Sequence, residues 1–103
     1  MDIPLLVTED LAGRTGRRER LLQPGMPVPA EAVVVASAAA AVAQPSSTLG
    51  SGEWVVVGDG DLPPQVRPFL RVPSSVSSQM LGSGVDAAMQ SIVLRRRLHA
   101  TER

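Results

Sequence analysis

Residues 53–72, EWVVVGDGDLPPQVRPFLRV, hold the chain's only Trp (Trp54), its only Phe (Phe69) and most of its strand-forming signal. Trp54 to Val57 is an unbroken aromatic and β-branched run, the composition enriched in strands. Gly58-Asp59-Gly60-Asp61 follows, a quartet that tolerates positive φ or bonds its own backbone in turns. Beyond it, Val66, Leu70 and Val72 alternate with Arg67 and Arg71, as in a strand with one wet face. Pro68 has no N–H to donate, so that strand belongs at a sheet edge. Two strands about a turn-forming quartet predict a β-hairpin over residues 53–72.

Flexible links flank the hairpin: Ser46 to Gly52 (SSTLGSG) leads in and Pro73 to Ser78 (PSSVSS) leads out. After the second link, Ser83 followed three residues later by Asp86 resembles a capping box. Arg95, Arg96 and Arg97 sit where positive charge complements the end of a helix dipole. These signals predict an amphipathic helix from Gly84 to His99. Val85, Ala88, Met89, Ile92 and Val93 share one face by their three-and-four spacing. Leu94 and Leu98 lie opposite with Ala87, as a candidate interface.

Upstream, residues 29–43 (PAEAVVVASAAAAVA) predict a second helix, with Pro29 in its first turn, Glu31 near the positive end of its dipole and Pro45 as its stop. Val33-Val34-Val35 is the exception, since β-branched residues at this spacing can equally begin a buried strand. Ser37 is the only polar residue after Glu31, so the segment must be covered on most sides. Before it, Asp2 to Thr8 (DIPLLVT) reads as a short outer strand, with Pro4 suited to an edge. Glu9 to Gln23 is polar, and Gly13 and Gly16 weaken any helix there by roughly 1 kcal/mol each. The expected fold is a small single α+β domain over 29–103, preceded by an irregular arm at 1–28 that carries an arginine-rich segment.

Composition bounds the function classes. A chain of 103 residues buries about 60–70% of the surface it would expose when extended, so its stability is modest or shared with a partner. The 44% hydrophobic content and zero formal net charge belong to a folded chain. All ten basic residues are Arg, the bias of a GC-rich coding sequence. The chain lacks Cys, which removes disulfides, thiolate ligands and thiol nucleophiles. It also lacks Lys, which removes Schiff-base chemistry, and Asn, which removes N-glycosylation.

Three patterns suggest chemistry, and each has a plainer explanation. Gly82-Ser83-Gly84-Val85-Asp86-Ala87 matches the glycine spacing of a dinucleotide loop, but that fingerprint needs a strand before it, another after the helix and an acid about 20 residues on. The downstream acid is Glu102, next to the last residue of the sequence. Asp59 and Asp61, with Glu53 nearby, offer oxygens to a hard cation without the full ligand set of a calcium loop. His99 is the sole histidine, which leaves any His-paired nucleophile or His-pair metal site with one candidate. No catalytic residue, cofactor or metal ligand is expected, and no small-molecule substrate is inferred.

The arginines remain. Arg14, Arg17, Arg18 and Arg20 form one cluster and Arg95, Arg96 and Arg97 another, and guanidinium pairs with phosphate or carboxylate in a fork. Acidic neighbours (Glu9, Asp10, Glu19), net neutrality and the lack of interleaved aromatics for base stacking place nucleic acid behind a protein partner. The expected function is a non-catalytic structural or protein-interaction subunit of a larger assembly, for instance a virion or phage particle component, self-associating or held by a partner. The competing class is a small nucleic-acid-binding or regulatory protein. The apolar run at 32–43 is too short to span a bilayer, which takes about 20 residues. The cytoplasm or the interior of a particle is the expected location. An export signal ending near Ala43, after Arg17-Arg18, is the lesser reading, because acids and prolines interrupt it.

Overall fold

Leu5-Leu6-Val7, Val33-Val34-Val35 and Trp54-Val55-Val56-Val57 are three apolar runs uninterrupted by a polar residue. Runs of this kind suit strands buried on both faces, as in a parallel sheet covered on both sides. The computed structural model describes residues 3–23, 25–26, 28–29, 31–43, 52–64, 66 and 68–101, and the three runs are its inner strands. The elements are β1 (Leu5–Val7), a 3-10 turn (Glu9–Leu11), β2 (Arg20–Leu21), β3 (Val33–Ser37), α1 (Ala38–Ala43), β4 (Glu53–Val57), β5 (Pro68–Val72) and α2 (Ser78–Thr101). The sheet order is β2-β1-β3-β4-β5 and every neighbouring pair is parallel. Strands and helices thus combine in one small α+β domain, as expected.

Within that class, several elements differ from expectation. The two strands of residues 53–72 do form and are neighbours, but they run parallel, so they are not a hairpin. The quartet at Gly58 to Asp61 opens a crossover rather than a tight turn, and Leu62 and Val66 from that crossover pack into the core. Pro68 does mark an edge strand, since β5 closes one side of the sheet. The partner of β4 jumps from Pro68 to Leu70 between Trp54 and Val55, so Phe69 is an extra residue at a bulge and is 40% exposed.

The expected helix over 29–43 divides: Val33–Ser37 is the central strand and only Ala38–Ala43 is helical. β-branched Val33 to Val35 win as a strand between two others, and the alanines, with no such branching, continue as helix. The C-terminal helix begins at Ser78, earlier than Gly84. Its cap is Ser77, whose Oγ accepts from the Met80 N–H at 3.2 Å, whereas Ser83 lies inside the helix and donates to the Gln79 carbonyl. Residues 1–28, expected as an arm, supply β1 and β2, and β1 is an inner strand rather than an edge. The link at 46–51, Arg67, Glu102 and the side chain of His99 lie outside the described residues.

The sheet separates two apolar clusters. On one face Leu5, Val7, Val33, Val35, Val55 and Val57 meet Leu81, Val85, Ala88 and Ile92 of α2. On the other, Leu6, Val34, Trp54 and Val56 are covered by short α1 and by the connecting segments that carry Leu22, Ala32 and Val66. Direction and face correlate. The connection from β1 out to β2 crosses the α2 face, where Leu11 packs, while those leading from β2 to β3, β3 to β4 and β4 to β5 cross the other. Parallel crossovers of one hand require this, because reversing direction along the sheet reverses the face.

Two glycines of α2 test how tightly the helix is seated. A Cβ on Gly82 would lie 2.7 Å from the Thr15 carbonyl oxygen, a backbone atom, whereas one on Gly84 would meet only the Leu70 Cδ2, the end of a movable side chain. Gly82→Ala should therefore destabilise, with overpacking of about 1–3 kcal/mol exceeding the roughly 1 kcal/mol gained in helix propensity. Gly84→Ala should be neutral or stabilising by up to about 1 kcal/mol. Urea unfolding of both variants checks this, and equal effects would contradict the seating described.

Candidate functional site

In an open parallel sheet, ligands bind outside the carboxyl ends of the strands, where the order reverses. Here that place lies between β1 and β3, whose outgoing connections leave for opposite faces. The chain presents Thr8, Glu9 and Asp10 after β1 and Ser37 at the end of β3. Thr8 is 4% exposed; its N–H donates to the Val35 carbonyl at 3.1 Å, and its hydroxyl donates to Asp10 Oδ1 at 2.6 Å. Ser37 also hydrogen-bonds Asp10, while its Oγ accepts from the Ala40 N–H at 3.1 Å and so begins α1. Burial opposes ionisation of Asp10, but the bonds from Ser37, Thr8 and its own backbone outweigh it and hold the carboxyl below its ordinary value.

An adjoining cavity of about 420 Å³ has Leu21, Leu22, Ala40 and Ala43 among its walls and Glu9 and Asp10 among its polar groups. Its chemistry is limited. Asp10 is already bonded by two hydroxyls, and no group of three His, Cys, Asp or Glu side chains gathers among the described residues. Asp10 here joins the turn after β1 to the start of α1. By sequence, Asp10 stands out only as an acidic neighbour and Ser37 only as a lone polar residue, and the two are not joined with Thr8 in a site. The available signal was an acid just past one apolar run and a serine just before an alanine run.

The predicted cation ligands do not converge. Glu53 begins β4 while Asp59 follows its far end, and Glu53 pairs with Arg95. Asp59 and Asp61 are exposed in a loop whose Gly58 and Gly60 carbonyls accept from Arg71. The dinucleotide-like glycines lie in the interior of α2, with no strand leading into them.

The arginine clusters are largely engaged within the chain. Arg14 donates to the Val76 carbonyl at 2.8 Å. Arg17 forks onto Asp86, with Nε to Oδ1 at 3.0 Å and Nη2 to Oδ2 at 2.7 Å, which ties the β1–β2 crossover to α2. Arg95 pairs with Glu53, Arg96 with Glu31, and Arg97 also has a partner. The side chains of Arg18 and Arg20 are exposed and make no hydrogen bond or ion pair among the described residues. Leu94 and Leu98, 56% and 61% exposed, are on the outer side of α2 as expected.

Glu19 organises the crossover that carries the first cluster. Its carboxylate accepts from the Gly13 N–H at 2.7 Å and from both the N–H and hydroxyl of Thr15. Burial raises the Glu19 pKa, yet these donors outweigh it and leave it lowered, and for Asp86 the hydrogen bonds from Arg17 lead in the same direction. A carboxyl whose pKa is lowered by folding stabilises the protein above its unfolded pKa and loses that contribution as pH falls through the folded value. Stability should thus decline below about pH 4. Glu19→Gln should lower stability at neutral pH and flatten the acid slope in denaturant titrations. An unchanged slope would contradict the role given to this carboxylate.

No family model, no curated protein and no solved structure matches the chain.

Proposed function

We propose that the chain is a non-catalytic subunit that assembles with further copies of itself through the outer side of α2. The observation that carries this reading is an uncharged stripe along that helix: Met80, Ala87, Leu94 and Leu98, with Ser91 between them. Met80, Leu94 and Leu98 are 65%, 56% and 61% exposed. At 100° per residue these positions fall within a narrow sector of the helix. The flanking cations Arg95 and Arg96 are turned to Glu53 and Glu31.

The stripe complements itself. Antiparallel pairing about its midpoint sets Met80 against Leu98 and Ala87 against Ser91, so large residues meet large at the ends and small residues meet small at the centre. A two-fold interface requires that kind of self-complementarity. Among the described residues no helix is long and apolar enough to cross a membrane.

Light scattering tests the proposal. The wild type should show about twice the single-chain mass of 10.8 kDa at micromolar concentration. Leu94→Glu/Leu98→Glu should give the single-chain mass with an unchanged circular dichroism spectrum. A wild type that stays monomeric at high micromolar concentration would overturn the reading.

A further inference from the structure

A second surface on α2 lies away from that stripe. Between α2 and the start of β1 runs a groove of about 790 Å³, with Ile3, Leu5, Met89 and Val93 as its apolar wall and Arg18 and Arg20 at its rim. Arg17 also lines it but is held by Asp86. The side chains of Arg18 and Arg20 have no partner among the described residues, and none of the described lining residues carries a carboxylate. The groove therefore joins an apolar wall to a cationic rim. Next to it, two-residue β2 is the outermost strand, with no further strand beyond it among the described residues, and such an edge suits addition of an extended chain.

We infer that this groove binds an extended acidic segment of a partner protein, in which carboxylates alternate with aliphatic side chains. The aliphatic side chains pack against Ile3, Leu5, Met89 and Val93, and the carboxylates take guanidinium forks from Arg18 and Arg20. A peptide fits better than a nucleic acid because the described lining has no aromatic ring on which a base would stack. The inference goes beyond self-assembly through Leu94 and Leu98 and uses the other flank of the helix, so neither result decides the other.

The test is fluorescence anisotropy of a short labelled peptide alternating Glu and Leu, titrated with the full chain. Three further probes are the same peptide with Gln for Glu, the same peptide with Ser for Leu, and a labelled single-stranded oligonucleotide. The Glu-Leu peptide should bind, and both substituted peptides should bind more weakly. Arg18→Glu/Arg20→Glu should reduce its affinity about tenfold or more, since charge reversal removes two attractions and adds two repulsions. Arg18→Gln/Arg20→Gln should fall between that variant and wild type. Because both side chains are exposed and unpaired, the variants should unfold at the wild-type denaturant midpoint. Unchanged peptide affinity in the charge-reversed protein overturns the inference, as does no measurable binding of the Glu-Leu peptide. Tighter binding of the oligonucleotide than of the peptide assigns the groove to nucleic acid instead and overturns it equally.

Discussion

Replacing Trp54 with Ala is expected to remove about 3–5 kcal/mol of stability, the range for deleting a large buried aromatic. Trp54 is 1% exposed and sits in β4, in register with Val34 of β3 on one side and Pro68 of β5 on the other. Its cluster is the one closed by α1 and connecting segments rather than by a long helix, and its other members are Val, Leu and Ala. No neighbour of that kind can fill the space an indole leaves, so a cavity should persist. A domain of this size has roughly 5–15 kcal/mol in total, which makes the loss about 30–50% of mid-range stability. Trp54→Phe should cost clearly less. Urea unfolding followed by circular dichroism measures both, and the single Trp makes native emission a direct report of burial. A red-shifted, fully quenchable native emission, or a Trp54→Ala loss under about 1 kcal/mol, would show that the residue does not anchor this face.

The sequence readily shows where strands occur but not how they run. Trp54 to Val57 looks like a strand by composition and Val66 to Val72 by alternation, and the glycines and aspartates between them suit a reversal, so a hairpin satisfies the local rules. The signal against it is spread across the chain: Leu5 to Val7, Val33 to Val35 and Trp54 to Val57 never alternate with polar residues. An antiparallel sheet with one wet face would alternate, whereas inner strands of a covered parallel sheet need not. Val66 is a second clue. As part of a strand it extends the alternation, yet it packs from the crossover against the opposite face from Leu70 and Val72.

The candidate site was less legible, because its contacts join residues distant in sequence. Arg17 reaches Asp86 and Arg14 reaches the Val76 carbonyl, pairings fixed by where α2 returns over the sheet. Charge clustering alone cannot separate such engaged arginines from Arg18 and Arg20, which follow them directly in the same cluster. The surface leucines were legible, since Leu94 and Leu98 fall off the apolar face by helical spacing alone, whichever turn begins the helix.

That spacing leads to a contrast within one helix. Leu81 is fully buried, packs among the residues under α2 and donates its N–H to the Ser77 carbonyl at 2.9 Å, so it secures the first turn against the sheet. Leu81→Ala should lose about 2–5 kcal/mol, the transfer of the side chain plus the cavity left behind. Leu98, 61% exposed near the other end, has little to lose within one chain. Leu98→Ala should fall within about 0.5 kcal/mol of wild type at low protein concentration. If α2 pairs with a second copy, association adds to stability by mass action. The Leu98→Ala deficit should then grow with concentration, while the Leu81→Ala deficit persists at every concentration. Unfolding midpoints at two protein concentrations separate the cases. A Leu98→Ala deficit equal to that of Leu81→Ala in dilute solution would mean the outer flank is packed within its own chain, and the self-assembly surface would have to lie elsewhere.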